Sequence, residues 1–224
     1  MFLDEKVNMK RHTNVQTAYN RWSHTYDTQQ NPLRDLDLLV LQQLLTDLSG
    51  KVIVEAGCGT GKNSQWLAAS CQRLLGLDFS QKMLALARQK VQQPHVNFLY
   101  HDIRQPWPMA AEAADLVLIN LVLEHIQQLD PIFRNAALIM RPDAQLIVTD
   151  LHPDRVVAGK GAEITALAET IVNFVHPVTD YIAAAKKAGL QLLAQEGWTA
   201  DLLKISEADN SDLQPLLLAL RFMK

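Results

Sequence analysis

Two cysteines in 224 residues, Cys58 and Cys71, are too few for a disulfide framework and have no zinc-ligand spacing, so a reducing cytoplasm is the expected setting. An excess of basic residues is also missing. Lys and Arg number 21 against 24 Asp and Glu, a net charge of −3, which counts against a dedicated nucleic-acid binder. The richest apolar region, 36–48, is interrupted by Asp37, Gln42, Gln43 and Asp47, and is too short and too polar to cross a bilayer. The first residues turn charged at Asp4, which excludes a signal peptide. No His-x-x-x-His pair supports a metal site, and no internal repeat or low-complexity tract appears. With 48% hydrophobic and 20% charged residues, what remains is one ordinary globular domain.

What is present centres on Lys51-Val-Ile-Val-Glu-Ala-Gly-Cys-Gly-Thr-Gly61. Val52-Ile53-Val54 is β-branched and too short for a helix, so it reads as a strand buried on both faces. Gly57, Gly59 and Gly61 follow at alternate positions, where bare backbone turns sharply and approaches a ligand closely. A helix beginning near Lys62-Asn63 then aims its unpaired N–H groups at whatever lies over the glycines. The spacing differs from the dinucleotide fingerprint Gly-x-Gly-x-x-Gly, whose third glycine would fall on Lys62.

Further strands follow in alternation with helices. Arg73 to Asp78 and Val96 to Asp102 each end on a carboxylate, Ala114 to Asn120 is nearly all apolar, and Gln145 to Asp150 precedes Leu151-His152. Two parallel strands joined by a helix are right-handed, so Asp78 lands beside the glycine loop and is placed to accept from ribose hydroxyls. Ser80 is a candidate N-cap for a helix reaching Val91. Asp130-Pro131 reads as an N-cap followed by proline at the first helical position, Arg141 to Ala144 as a turn, and Thr179 as the cap of a helix stopped by Gly189. Leu190 to Trp198 and Pro215 to Phe222 read as the last strand pair. Between them and the fifth strand, 154–176 shows no clear strand, with Ala162 to Phe174 weakly helical.

At the N-terminal end, 1–13 reads as a loose lead-in. From Val15 to Asp27, Tyr19, Trp22 and Tyr26 fall at i, i+3 and i+7, one face of a helix that packs on the core. Asn31-Pro32 breaks the chain, and Leu36 to Leu48 forms a second helix.

The Glu55-x-Gly57-x-Gly59-x-Gly61 pattern with Lys62-Asn63, the Asp78-Phe-Ser-x-x-Met83-Leu stretch, Asp102 and the segment Asn120 to His125 together resemble the class I S-adenosylmethionine-dependent methyltransferases of the small-molecule type, similar to quinone-biosynthesis and biotin-pathway enzymes. The resemblance is strong over 51–150 and rests on order of elements elsewhere. It implies an α/β fold: a Rossmann-like seven-stranded mostly parallel sheet, helices on both faces, one antiparallel strand in the last pair. A single domain is implied, with 1–48 as a helical lid and 151–178 as an insertion over the active face. S-adenosylmethionine would then contact Tyr19, Tyr26, Glu55, Gly57, Gly59, Gly61, Asn63, Asp78, Phe79, Met83, Asp102, Ile103, Asn120, Leu121 and His125. Within that set the resemblance puts Phe79 and Met83 beside the adenine, Asp102 on its amino group, the Ile103 N–H on the ring, and a carbonyl near Asn120 on the methionyl amine. His125 would lie near the cofactor without being a base.

An acceptor that must lose a proton needs a base, and His152, His24 and His176 are the candidates, with capping or solvated roles as their alternatives. The turn Arg141 to Ala144 departs from the family's usual Pro-Gly-Gly. A nicotinamide oxidoreductase and a catalytically silent cofactor-binding module are the competing readings. An RNA or protein acceptor is disfavoured, because Asn120-Leu-Val-Leu stands where an Asn/Asp-Pro-Pro-Tyr type motif would be. The acceptor and the oligomeric state are not legible.

Overall fold

The computed structural model describes residues 12–157, 170–171, 173–203 and 214–224. Its first half runs β1 (His12–Thr13), α1 (Val15–Tyr26), α2 (Pro32–Leu44), β2 (Val52–Ala56), α3 (Lys62–Leu67), β3 (Arg73–Asp78), α4 (Gln81–Lys90), β4 (Val96–Tyr100) and β5 (Ala114–Asn120). The second half runs α5 (Asp130–Ile139), β6 (Met140–Leu151), α6 (Pro153–Val157), β7 (Thr170–Ile171), α7 (Val178–Lys187), β8 (Gln191–Trp198) and β9 (Leu217–Met223). Seven of the strands form one sheet in the order β4-β3-β2-β5-β6-β9-β8, parallel except for β9, which is antiparallel to both of its neighbours. The chain winds outward from β2 to β4, then returns to place β5 on the other side of β2. That reversal opens a crevice at the carboxyl ends of β2 and β5, where ligands of such sheets bind.

The central strands are apolar because both faces are covered. Ile53, Val54, Val117, Leu118 and Ile119 have no exposure. On one side, Phe133 of α5 meets Phe222 of β9 edge-on at 5.8 Å between ring centroids, within a cluster that includes Ile132, Ala136 and Leu146. Burying a side chain of that size contributes about 2–3 kcal/mol. On the other side Leu41 and Leu67 pack on Ile53, Leu74 and Leu116.

Several boundaries differ from the sequence expectations. Asn31-Pro32 starts α2, not a break before it: Asn31 accepts from the Arg34 N–H at 3.0 Å and Pro32 occupies the first turn, and the helix ends at Leu44, not Leu48. Its Leu36 and Val40 lie fully buried against Leu217 and Ala219, which makes α2 part of the core and leaves α1 as the cover. Leu129 caps α5 without a side-chain bond, and Asp130 is already its first residue. Pro177, not Thr179, precedes α7. The expected turn at Arg141 to Ala144 is an irregularity inside β6, with Asp143 at φ 63° and its N–H bonded to the Lys224 carbonyl at 3.1 Å. A strand does occur within 154–176: Thr170–Ile171 pairs in parallel with His12–Thr13, so the end of the lead-in is tied to the insertion. The expected helix from Ala162 lies largely outside the described residues. No helix among the described residues is long and apolar enough to cross a membrane.

Candidate functional site

A cavity of about 390 Å³ opens at the carboxyl ends of β2, β3, β4 and β5, a size within the usual range of small-molecule sites. Its floor is the glycine loop. Gly57 holds φ 81°, and a Cβ there would come within 2.3 Å of the Val122 side chain, so the turn and the tip of β5 fit only around a bare Cα. Gly59, at φ 54°, lines the cavity, and a Cβ there would meet nothing within 4 Å. Open space beside the Gly59 backbone is what close approach of a ligand requires.

Asp78, at the end of β3, closes the loop. One carboxylate oxygen accepts from the Gly59 N–H at 2.9 Å and the other from the Ser80 N–H at 2.7 Å. Burial pushes its pKa up to about 6 against the pull of those two bonds. Phe79 and Met83 continue the wall. Across from them, Asp102 and Ile103 line the far end of the cavity, with His101 and Arg104 beside them. Arg104 grips the Asp102 carboxylate from Nε and Nη2 at 2.6–3.0 Å, and holds it below the ordinary Asp range.

The opposite wall is Leu121, Val122, His125 and Ile126, with Phe174 from the insertion. Leu121 has φ 53°, a left-handed conformation that a leucine adopts only when its surroundings impose it. The roof is α1. Tyr19 and Tyr26 line the cavity, and the Tyr19 hydroxyl pairs with His125 Nε2 at 2.8 Å. Burial raises the pKa of that hydroxyl well above its usual value. The Arg34 guanidinium sits 4.0 Å from the Tyr26 ring centroid, so one face of that ring is already covered by a cation. Polar contacts hold α1 down: Gln16 to the Phe79 carbonyl, Asn20 to the Ser80 hydroxyl at 2.7 Å, and Asp27, just past the helix, to Thr60 and Lys90 at 2.7 and 2.8 Å.

Of the residues expected to meet a ligand, Tyr19, Tyr26, Gly57, Gly59, Asp78, Phe79, Met83, Asp102, Ile103, Leu121 and His125 are brought together on this one cavity. Glu55, Gly61, Asn63 and Asn120 lie behind its lining. Glu55 accepts from the Ser64 hydroxyl, and burial pushes its pKa up to about 8. Gly61 is the cap of α3. Asn63 donates to Asp37 at 3.2 Å, and Asn120 to the Thr149 hydroxyl at 2.7 Å.

None of the three expected bases is at the cavity. His24 is exposed, about 140° round α1 from Tyr19. His152 lies against the β8–β9 hairpin, its Nε2 3.6 Å from where a Gly197 Cβ would be, and burial lowers its pKa. His176 is turned to the Ile126 carbonyl at 2.7 Å and stacks edge-on against Tyr181. Beside it, burial raises the pKa of both Glu124 and Asp150, and the nearby Asp150 charge pushes Glu124 up further. Sequence reasoning missed Arg34, His101, Arg104 and Phe174 as neighbours of the site. Only Phe174 had a signal, a large apolar residue in an insertion placed over the crevice.

Comparison with known proteins agrees with this geometry. Residues 54–148 match the family described as a methyltransferase domain. An uncharacterized methyltransferase of Emericella nidulans is 30% identical over 80% of this chain and 77% of its own length. The ubiquinone biosynthesis O-methyltransferase of Cupriavidus pinatubonensis is 28% identical over 75% of this chain and 72% of its own. Among solved structures, the N-methyltransferase NodS of Bradyrhizobium japonicum, in complex with S-adenosyl-L-homocysteine, shares the fold with a TM-score of 0.69, covering 95% of this chain and 99% of that one at 19% identity. With the sheet order, the glycine loop and the Emericella relative all in agreement, the chain belongs to the class I S-adenosylmethionine-dependent methyltransferases.

Proposed function

We propose that the chain methylates a small molecule, with S-adenosylmethionine in the 390 Å³ cavity and the acceptor entering between α1 and Phe174. The observation that carries this reading is the convergence of the open Gly59 backbone, the Asp78 carboxylate and the Asp102–Ile103 strand end on one cavity. Asp78 keeps lone pairs free on both oxygens for ribose hydroxyls, since each has accepted only one N–H. Asp102 and the Ile103 N–H suit the adenine edge, with Phe79 and Met83 against its faces. The ring of Tyr19, packed among Trp22, Tyr26 and His125, lines the same cavity, where an aromatic ring suits a cationic sulfur.

The bound sulfonium supplies an electrophilic methyl group, so the chain's own residues align the acceptor and exclude water. An acceptor O–H or N–H that took this methyl group would have to lose a proton. His125, paired with Tyr19 on the cavity wall, is the base this geometry offers in place of His152, His24 and His176. A small acceptor is supported by the roof that α1 and Phe174 make over the cavity, and by relatives such as the ubiquinone-biosynthesis enzyme. The net charge of −3 favours no nucleic-acid partner. The two buried cysteines suit a reducing cytoplasm.

Titration calorimetry with S-adenosylhomocysteine tests the donor site. Wild-type protein is expected to bind it, and Asp78→Ala to bind it about tenfold or more weakly. Equal affinity of the two proteins would remove the ribose contact from this reading. Screening quinols, phenols and fatty acids for S-adenosylhomocysteine release then tests the acceptor.

A further inference from the structure

We infer that Asp37 is a positioning residue for methyl transfer: from inside α2 its carboxylate fixes the tip of β5 relative to the glycine-loop helix. The inference rests on the cavity being the methyl-donor site. Asp37 is 3% exposed, although it sits in an apolar helical stretch where a hydrophobic side chain would be the ordinary occupant. One of its oxygens accepts from the Thr149 hydroxyl of β6, and that hydroxyl accepts from the Asn120 side-chain amide at 2.7 Å. The other oxygen accepts from the Asn63 amide at 3.2 Å. A single carboxylate thus joins α2, α3, β6 and, through Thr149, the last residue of β5.

The bonds are directional in their consequences. Among the described residues Asn63 Oδ1 and Asn120 Oδ1 are buried with no hydrogen-bond partner, and each amide is anchored through its nitrogen, one directly on Asp37 and one through Thr149. The residue after Asn120 is Leu121, which lines the cavity at φ 53° with its N–H bonded to the Thr149 carbonyl at 2.8 Å. Thr149 therefore holds both sides of the Asn120–Leu121 peptide, and Asp37 holds Thr149. A leucine in the left-handed region relaxes unless its neighbours forbid it. Burying a carboxylate is costly, and two hydrogen bonds do not recover that cost as well as an apolar side chain would. The placement of Asp37 makes sense if the geometry it imposes on the site, and not stability, is what it provides.

The test is a set of variants read by calorimetric binding of S-adenosylhomocysteine. Binding by wild-type protein checks the donor-site reading separately. Asp37→Asn is expected to weaken binding about tenfold, and Thr149→Val, which cuts the same link from the other end without changing charge, by a similar factor. Because both break one chain, the double variant should be no weaker than the worse single one. Leu121→Gly removes the need for enforcement, since glycine adopts that φ freely. In the Asp37→Asn background it should therefore bring affinity back to within about threefold of Leu121→Gly alone. A general loss of stability would not be rescued in this way. If folded Asp37→Asn or Thr149→Val binds like wild type, if their losses multiply, or if Leu121→Gly restores nothing, Asp37 is only a structural acid.

Discussion

The two halves of the crevice are built differently. On the β2–β3–β4 side, the wall is made by residues a short distance apart in sequence: Gly57 and Gly59, then Asp78, Phe79 and Met83, with Asp78 bonding back to Gly59 only 19 positions earlier. On the β5–β6 side, the contacts to the N-terminal segment span long separations. Tyr19 reaches His125 across 106 positions and Thr149 reaches Asp37 across 112. The first half is backbone conformation closed by a neighbouring carboxylate, which is why a short motif can encode it. The second is side chains recruited from the N-terminal segment, which no local pattern specifies. The difference teaches that the first half depends on keeping its loop, and the second on which segments the fold lays beside it.

The largest expected effect comes from attacking the backbone half. Gly57→Ala would put a methyl group 2.3 Å from Val122 at a φ of 81°, adding overlap to backbone strain. A loss of about 2–5 kcal/mol in denaturant unfolding is expected. A loss under about 1 kcal/mol would break the contrast, because the loop would then have slack.

A smaller effect is expected in the side-chain half. Tyr181→Phe removes the hydroxyl that donates to Asp150 at 2.9 Å and leaves the oxygen it served buried. The expected cost is about 1–3 kcal/mol. It should be larger at pH 9 than at pH 6, since the lost donor matters most when Asp150 is ionised. Chemical denaturation at both pH values checks the size and the direction.

The pH dependence of stability sharpens the same picture across both halves. Burial raises Glu55 to about 8, Asp78 and Asp37 to about 6, and Glu124 and Asp150 above the carboxylate range as well. Between roughly pH 5 and pH 8 the folded chain therefore binds protons that the unfolded chain has released, and stability falls as pH rises through that window. The thermal midpoint should be lower at pH 9 than at pH 6. Replacing Glu55 by Gln should flatten the upper part of that decline, and an unchanged slope would show that Glu55 is ionised in the fold already.

The smallest effect is a control. His24 is exposed and away from the cavity, so His24→Ala should leave stability within about 0.5 kcal/mol and leave S-adenosylhomocysteine affinity unchanged.

Legibility followed the same division. Asp78 could be assigned because parallel strands joined by a right-handed crossover deliver their carboxyl ends to one rim, whereas Phe79, Met83, Asp102 and Ile103 were assigned by the family resemblance. Histidines could not be sorted that way. In sequence His176 was a candidate base and His125 a cofactor neighbour that is not one, yet His176 is spent on the Ile126 carbonyl and it is His125 that faces the cavity beside Tyr19. Asp37 was visible only as an interruption in an apolar run, and its meaning depended on Thr149 lying opposite.

By itself the sequence determined the sheet, the glycine turn and the donor rim, since strand burial, left-handed glycine backbone and crossover handedness are properties of short segments. Tertiary structure alone decided that α2 is core and α1 is roof, that Tyr19 and His125 form a pair, and that a buried aspartate lies beneath the β5 tip. Those outcomes depend on which distant surfaces meet, and a hydrogen bond across a hundred residues leaves no periodicity in the chain to read.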